Sequence, residues 1–294
     1  MKRLAGILAP VVTTFDDRDE LARAPFTANI RAHVAAGLAG VVVAGSTGEA
    51  ALLEDDERRA LVAWARDQVP SDRWLIVGVG SESTRQSVRR AREAAERGAD
   101  AVLVVAPHYY GSAMTAAALR AHFRRLADAS PAPVILYNIP KYMHFALAPE
   151  LVAELAEHDN IVGIKDSSGD AALLAGYLGA QAHGFSVLTG SAGGLAAALA
   201  AGARGGILAV SLFAPELSLE VLRDGGGGEG AAQAALVPLA REIVGNLGVA
   251  GVKAALDLSG LHGGPLRPPL LPLADAERER VGDLLRGARV VAAA

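Results

Sequence analysis

Ala101-Val102-Leu103-Val104-Val105-Ala106 is apolar at every position. A strand with one wet face alternates polar and apolar residues; an unbroken run suits a strand covered by helices on both faces of a parallel sheet. Seven further runs have the same character: Gly6–Thr14, Gly40–Ala44, Trp74–Val79, Pro133–Asn138, Ile161–Lys165, Phe185–Thr189 and Gly205–Val210. Amphipathic stretches lie between them, among them Glu54–Val69, Ser83–Arg97 and Thr115–Ala129, and Thr84–Glu96 sets Ala and Val on one face and charge on the other. The runs start about 20–35 residues apart, the length of one strand–helix unit. Eight such units close a (β/α)8 barrel. An open doubly wound sheet would show the same local pattern, so the repeat favours the TIM barrel over that α/β alternative.

The repeat ends near Arg223, where Gly225-Gly226-Gly227-Gly228 reads as a flexible turn. Helices are predicted over Ala231–Leu247, Val252–Leu258 and Asp275–Arg286, with Gly263–Leu270 between the last two too rich in Gly and Pro to join them. The predicted division is a catalytic barrel over 1–224 and a helical extension over 225–294 packed on it.

Across 294 residues the formal charge is −4, which argues against a nucleic-acid surface. The absence of cysteine excludes disulfides, thiol nucleophiles and Cys-built metal sites. The seven histidines show no pair at helical ligand spacing, so no histidine-built metal site is predicted, with a carboxylate site left as the alternative. Lys2, Arg3 and the apolar residues to Val12 imitate a signal peptide, with Ala22-Arg23-Ala24 as a mock cleavage site. The acids Asp16, Asp17, Asp19 and Glu20 interrupt that reading, and a first barrel strand fits better. The richest membrane candidate, Leu195–Val210, is mostly Ala and Gly and contains Arg204. A soluble, cytoplasmic protein is expected.

Barrel enzymes place their chemistry where strands end at the C-terminal face. Lys165 ends Ile161-Val162-Gly163-Ile164, and alternation turns it inward with Ile161 and Gly163, the glycine leaving room for a substrate. A strand-end lysine reaching solvent is the alternative. Only four of the 28 cations are lysines, and Arg cannot replace an amine that must lose its proton. A desolvated lysine can attack a carbonyl and form a Schiff base. Tyr137 ends the preceding strand one unit earlier, and neighbouring strands lie about 4.8 Å apart. Its phenol could move protons for such a lysine, or it could be a core aromatic. Gly45-Ser46-Thr47-Gly48-Glu49 resembles an anion-binding turn, with amides around Ser46 and Thr47 free to cradle a carboxylate. Gly190-Ser191-Ala192-Gly193 could contribute likewise, or serve as a helix cap.

The ordered set Gly-Ser-Thr-Gly-Glu, Pro-x-Tyr, Tyr-Asn-x-Pro and Gly-Ile-Lys-Asp resembles the dihydrodipicolinate synthase/N-acetylneuraminate lyase family of Schiff-base pyruvate aldolases, from Gly6 to Leu270. The resemblance implies a (β/α)8 barrel with a C-terminal helical extension, no cofactor, and a tetramer of two tight dimers. It implies that Lys165 forms the imine and Tyr137 shuttles protons. Ser46 would link Tyr137 to a second tyrosine, Tyr109, contributed across the tight-dimer interface. Thr47 would help bind the 2-oxo acid carboxylate, and Gly190 and Leu208 would line the pyruvate site. Dihydrodipicolinate synthases carry an arginine two residues past the proline; here that position is Tyr142, in Lys141-Tyr142-Met143-His144-Phe145. Without a guanidinium there, bidentate grip on the aldehyde carboxylate is lost, and the adjacent Lys141 should project differently. Gly98–Tyr110, Asn160–Asp170 and Val187–Gly194 look most like the 4-hydroxy-2-oxoglutarate and 2-keto-3-deoxy sugar-acid aldolase branch.

The expected function is therefore a carbon–carbon lyase that releases pyruvate from, or condenses it into, a 4-hydroxy-2-oxo acid, with an aldehyde as second partner and Tyr142 in the second-substrate pocket. 4-Hydroxy-tetrahydrodipicolinate synthase, a related dehydratase, a non-catalytic 2-oxo acid binding protein and a metal-dependent aldolase are the alternatives.

Overall fold

The computed structural model describes residues 2–182, 184–225, 227 and 230–291. Eight parallel strands form a closed barrel in sequence order: β1 (Gly6–Pro10), β2 (Gly40–Val43), β3 (Trp74–Gly78), β4 (Ala101–Val105), β5 (Val134–Asn138), β6 (Ile161–Asp166), β7 (Ser186–Thr189) and β8 (Gly205–Ile207). Each lies within one predicted run or overlaps its ends. Closure comes from β8 pairing with β1, Gly205 opposite Gly6. That rules out the open sheet, whose edge strands stay unpaired.

The helices between strands follow from local chemistry. These are α1 (Arg23–Ala35), α2 (Asp55–Arg66), α3 (Thr84–Glu96), α4 (Ala116–Ala129), the short α5 (Pro140–Met143), α6 (Pro149–Leu155), α7 (Ala171–Leu178), α8 (Leu195–Ala200) and α9 (Pro215–Arg223). In α2 the side chains of Glu54 and Glu57 close a reciprocal capping box, with Asp55 and Asp56 at the positive end of the helix dipole and Arg66 at its negative end. Thr115 caps α4 by accepting from the amide of Ala118, and Asp170 caps α7 through Ala172 and Leu173. The inner faces of these helices pack on strands buried on both sides: every residue of β2, β3 and β5 is buried. The Ala22-Arg23-Ala24 stretch is the start of α1, and Leu195–Val210 divides into α8 and β8. No helix of the described residues is long and apolar enough to cross a membrane.

Beyond α9 come α10 (Ala231–Pro238), a π-helical stretch (Leu239–Asn246), α11 (Gly248–Leu258) and α12 (Asp275–Gly287). The single helix predicted over Ala231–Leu247 is thus corrected. Pro238 has no amide to continue the i→i−4 ladder, and beyond it the chain widens: Leu247 donates to the carbonyl of Glu242, five residues back, at 3.2 Å. Of the predicted glycine turn, Gly226 and Gly228 lie outside the described residues.

Candidate active site

Tyr137 and Lys165 are register partners on β5 and β6, as are Asn138 and Asp166. Parallel pairing therefore holds the two functional groups at one height, and both side chains are buried, Lys165 6% and Tyr137 5% exposed. Lys165 Nζ donates to Tyr137 Oη at 3.3 Å and lies 4.3 Å from the centre of the phenol ring. The strand-end lysine does not reach solvent.

The next pair in the register holds the loops that follow. Asn138 Nδ2 donates to Asp166 Oδ1 at 2.8 Å, and Asn138 Oδ1 accepts from the amide of Leu147 at 3.0 Å. Asp166 also accepts from the amide and hydroxyl of Ser168, at 3.0 and 2.8 Å. The sequence motifs contain Asn138 and Asp166 without implying a task for either; their adjacency to Tyr137 and Lys165, one unit apart, is the signal that points to one.

A cavity of about 380 Å³ opens onto the pair. It is lined by Lys165, Tyr137, Ser46, Thr47, Gly190 and Tyr142, so six predicted residues meet there. Gly190 is needed for close approach: a Cβ would collide with the Ser167 hydroxyl and sit 3.1 Å from Lys165 Cε. Ser46 and Thr47 open a short 3₁₀ turn (Ser46–Gly48), whose first amides have no carbonyl within the turn to receive them. Thr13 Oγ1 donates to the carbonyl of Gly48 at 2.7 Å and fixes the end of that turn. The Ser191 side chain caps no helix. Burial pushes the Tyr142 phenol up, and the neighbouring Tyr137 adds to it.

Two predicted roles for residues near the lysine are corrected. Leu208 is wholly buried and is not among the residues lining the cavity, while Ile207 and Ala209 on either side are; alternation at the end of β8 turns Leu208 away. Gly163 does not open space for a substrate. A Cβ there would meet the Ser186 carbonyl at 2.5 Å and Leu4 Cδ2 at 3.0 Å, so the glycine admits the barrel floor beneath Lys165. Lys141, expected to project apart from Tyr142, lines the same cavity.

Tyr109 lies elsewhere, 78% exposed and stacked edge-to-face on Tyr110 at 5.0 Å. Glu82 accepts from the amides of His108 and Tyr109, both at 2.9 Å, and holds the loop in place. Ser46, Lys141 and Tyr142 also border a larger cavity of about 680 Å³, which lacks both Lys165 and Tyr137.

The C-terminal helices contribute more than the sequence revealed. Val244 and Gly245 of the π-helical stretch, with Val249 and Val252 of α11, line the cavity. Glu49, at the end of the Ser46 turn with φ +55°, is buried against Lys253 of α11, Nζ to Oε1 at 2.5 Å. Burial pushes the Lys253 amine down against the pull of Glu49. Glu49 Oε2 also accepts from the amide of Arg267 at 2.9 Å, and that guanidinium grips Glu57 with two bonds of 2.6 Å.

Fold and centre together define a (β/α)8 barrel with a buried amine–phenol pair at the mouth of adjacent strands. The dihydrodipicolinate synthetase family matches residues 3–288. A 4-hydroxy-tetrahydrodipicolinate synthase of an Exiguobacterium species is 34% identical over 272 residues, 91% of this chain and 92% of that protein. An uncharacterized DapA-like lyase of Halobacterium salinarum is 40% identical over 279 residues, 94% of this chain and 91% of its own. Among solved structures, the prophage protein YagE of E. coli K12 in complex with pyruvate superposes with a TM-score of 0.91 at 30% identity, covering 98% of this chain and 99% of that one. The chain belongs to the dihydrodipicolinate synthetase family, whose members are pyruvate-dependent lyases and synthases.

Proposed function

We propose that this protein is an imine-forming carbon–carbon lyase that cleaves a 4-hydroxy-2-oxo acid to pyruvate and an aldehyde, or runs the reverse condensation. The observation that carries the reading is the buried Lys165–Tyr137 contact at 3.3 Å beneath a cavity wide enough for a small acid. YagE in complex with pyruvate, 30% identical, supports it.

The Lys165 amine attacks the C2 carbonyl, and the resulting carbinolamine loses water to give a protonated imine. Tyr137 supplies the proton that turns the hydroxyl into a leaving group. The imine then accepts the electron pair of the breaking C3–C4 bond, while the C4 hydroxyl loses its proton, becomes a carbonyl, and the C4 fragment departs as an aldehyde. The enamine takes a proton at C3, and water hydrolyses the imine to free pyruvate. The first amides of the Ser46–Thr47 turn hold the carboxylate and place C2 over the amine. Ser46 relays protons from Tyr137 toward Tyr109 of a neighbouring copy, which accounts for a tyrosine 78% exposed on one chain. Gly190 admits the lysine, and Tyr142 shapes the space for the aldehyde.

In this reading the protein is a cytoplasmic homotetramer, a dimer of dimers, with residues 1–224 as catalytic barrel and 225–294 as packed extension. Borohydride reduction in the presence of pyruvate tests it: a pyruvyl mass on Lys165 is expected, and an unlabelled protein or a label elsewhere overturns it. The second reading is 4-hydroxy-tetrahydrodipicolinate synthase, favoured by relatives of that name such as the 34% identical Exiguobacterium protein. Turnover of pyruvate with aspartate semialdehyde separates the two.

A further inference from the structure

We infer that Arg241, helped by Lys141, is the residue that selects the second substrate, and that it selects an aldehyde bearing a carboxylate. The inference rests on the imine reading and deepens it. Among the described residues lining the cavity three are cations, Lys141, Lys165 and Arg241, and none is a carboxylate. Lys165 is committed to the imine, so the rest of the substrate meets Lys141 and an Arg241 whose side chain is 69% exposed and paired with Glu242 through Nε alone. A cleft lined by charge of one sign concentrates ligands of the other.

The placement of Arg241 follows from the widened helix. It sits in the π-helical stretch Leu239–Asn246, whose residues Ala240, Val244 and Gly245 line the same cavity. Such widenings are often found at functional sites. Arg241 Nε donates to Glu242 Oε1 at 2.7 Å, and its two terminal nitrogens have no partner among the described residues. Those nitrogens form one edge of a planar fork, the geometry that takes a carboxylate with two parallel bonds. Lys141 Nζ donates to the Gly245 carbonyl at 2.9 Å, which ties α5 to this stretch and leaves two of its protons for a ligand. Tyr142 brings no charge to the cavity wall. The cation that an anionic aldehyde requires is therefore supplied by the neighbouring C-terminal extension. A neutral polyhydroxy chain would give the terminal guanidinium nitrogens of Arg241 and the free protons of Lys141 no anionic partner.

The test compares wild-type protein with Arg241→Met, Arg241→Lys and Lys141→Met in condensation of pyruvate. Glyoxylate and aspartate semialdehyde are the carboxylate-bearing acceptors, glycolaldehyde and glyceraldehyde the neutral ones, and glyceraldehyde 3-phosphate the phosphate arm. Arg241→Met should lower kcat/KM for the carboxylate-bearing acceptors by about ten- to a hundredfold, the value of a charged hydrogen bond. It should leave the neutral acceptors and borohydride capture of pyruvate within about threefold, and Arg241→Lys should recover part of the loss. An equal fall on both classes, no fall, or a wild-type preference for neutral or phosphorylated acceptors overturns the inference. So does a wild-type protein that captures pyruvate yet uses neither carboxylate-bearing aldehyde, while the imine chemistry then stands. Failure to capture pyruvate overturns the underlying reading instead.

Discussion

Glu49 and Lys253 meet at 2.5 Å with side chains 0% and 2% exposed, joining the turn after β2 to a helix near the end of the chain. The turn is the one that carries Ser46 and Thr47 to the cavity. A buried pair of this kind contributes little net stability, because desolvation offsets attraction, but it is costly to break.

Lys253→Met should therefore destabilise the protein by about 3–5 kcal/mol, since Glu49 is left charged and unpaired. Lys253→Met combined with Glu49→Gln should recover much of that loss. Urea denaturation of the three proteins measures it, and equal stability of the single and double variants would show that the pair is not the cause.

Lys165→Arg preserves charge and length but removes the amine that can add to a ketone. Turnover and borohydride capture should both vanish while the far-UV circular dichroism and melting temperature stay near wild type. Residual capture by this variant would move the imine to another residue.

Tyr137→Phe keeps the ring 4.3 Å from the amine and deletes only the hydroxyl. The expected loss in kcat is about a hundred- to ten-thousandfold, the usual value of a positioned proton donor, with a much smaller change in KM for pyruvate. A loss confined to KM would make the phenol a binding group only.

Gly190→Ala puts a methyl group against the Ser167 hydroxyl and 3.1 Å from Lys165 Cε. Capture of pyruvate should slow by at least about tenfold, as small displacements of a reacting group are expensive. Single-turnover trapping kinetics would show it, and unchanged rates would mean that the wall gives way.

Acid should weaken the fold through His33 and His122. Burial pushes both down to about 4, and neither Nε2 has a partner. The unfolded chain binds these protons first, near pH 6.5, so stability is complete above that pH and falls between about 6.5 and 4. The two residues account for on the order of 3 kcal/mol each at the acid end. His33→Leu should flatten this slope in melting temperatures taken from pH 7 to pH 4.5; an unaltered slope would assign the acid sensitivity elsewhere.

Strands were easy to read from the letters because burial on both faces leaves apolar runs with no period to confuse. Lys165 and Tyr137 were legible for a related reason: each is a polar residue that interrupts such a run at its end, one repeat apart. Leu208 illustrates the opposite case. A short strand, Gly205–Ile207, gives too few residues to establish which side its successor faces. The Gly163 reading failed because a glycine's letter says that space is needed without saying which neighbour fills it. The ion pair between Glu49 and Lys253, and the position of Arg241, depend on how a non-repeating tail folds back. No local period encodes that packing. Pro238 was the one visible sign that the helix there would not stay regular.

The π-helical stretch that borders the cavity belongs to the appendage, whereas the amine and phenol sit on strands locked in register around a ring. In the proposed reading, bond-making stays on the barrel strands, while choice of partner is shared between α5 and the appendage. Insertions, deletions or exchanges in the appendage can retune which aldehyde is admitted while the reacting pair keeps its spacing. A lineage built on this plan can diversify its diet without rebuilding its teeth.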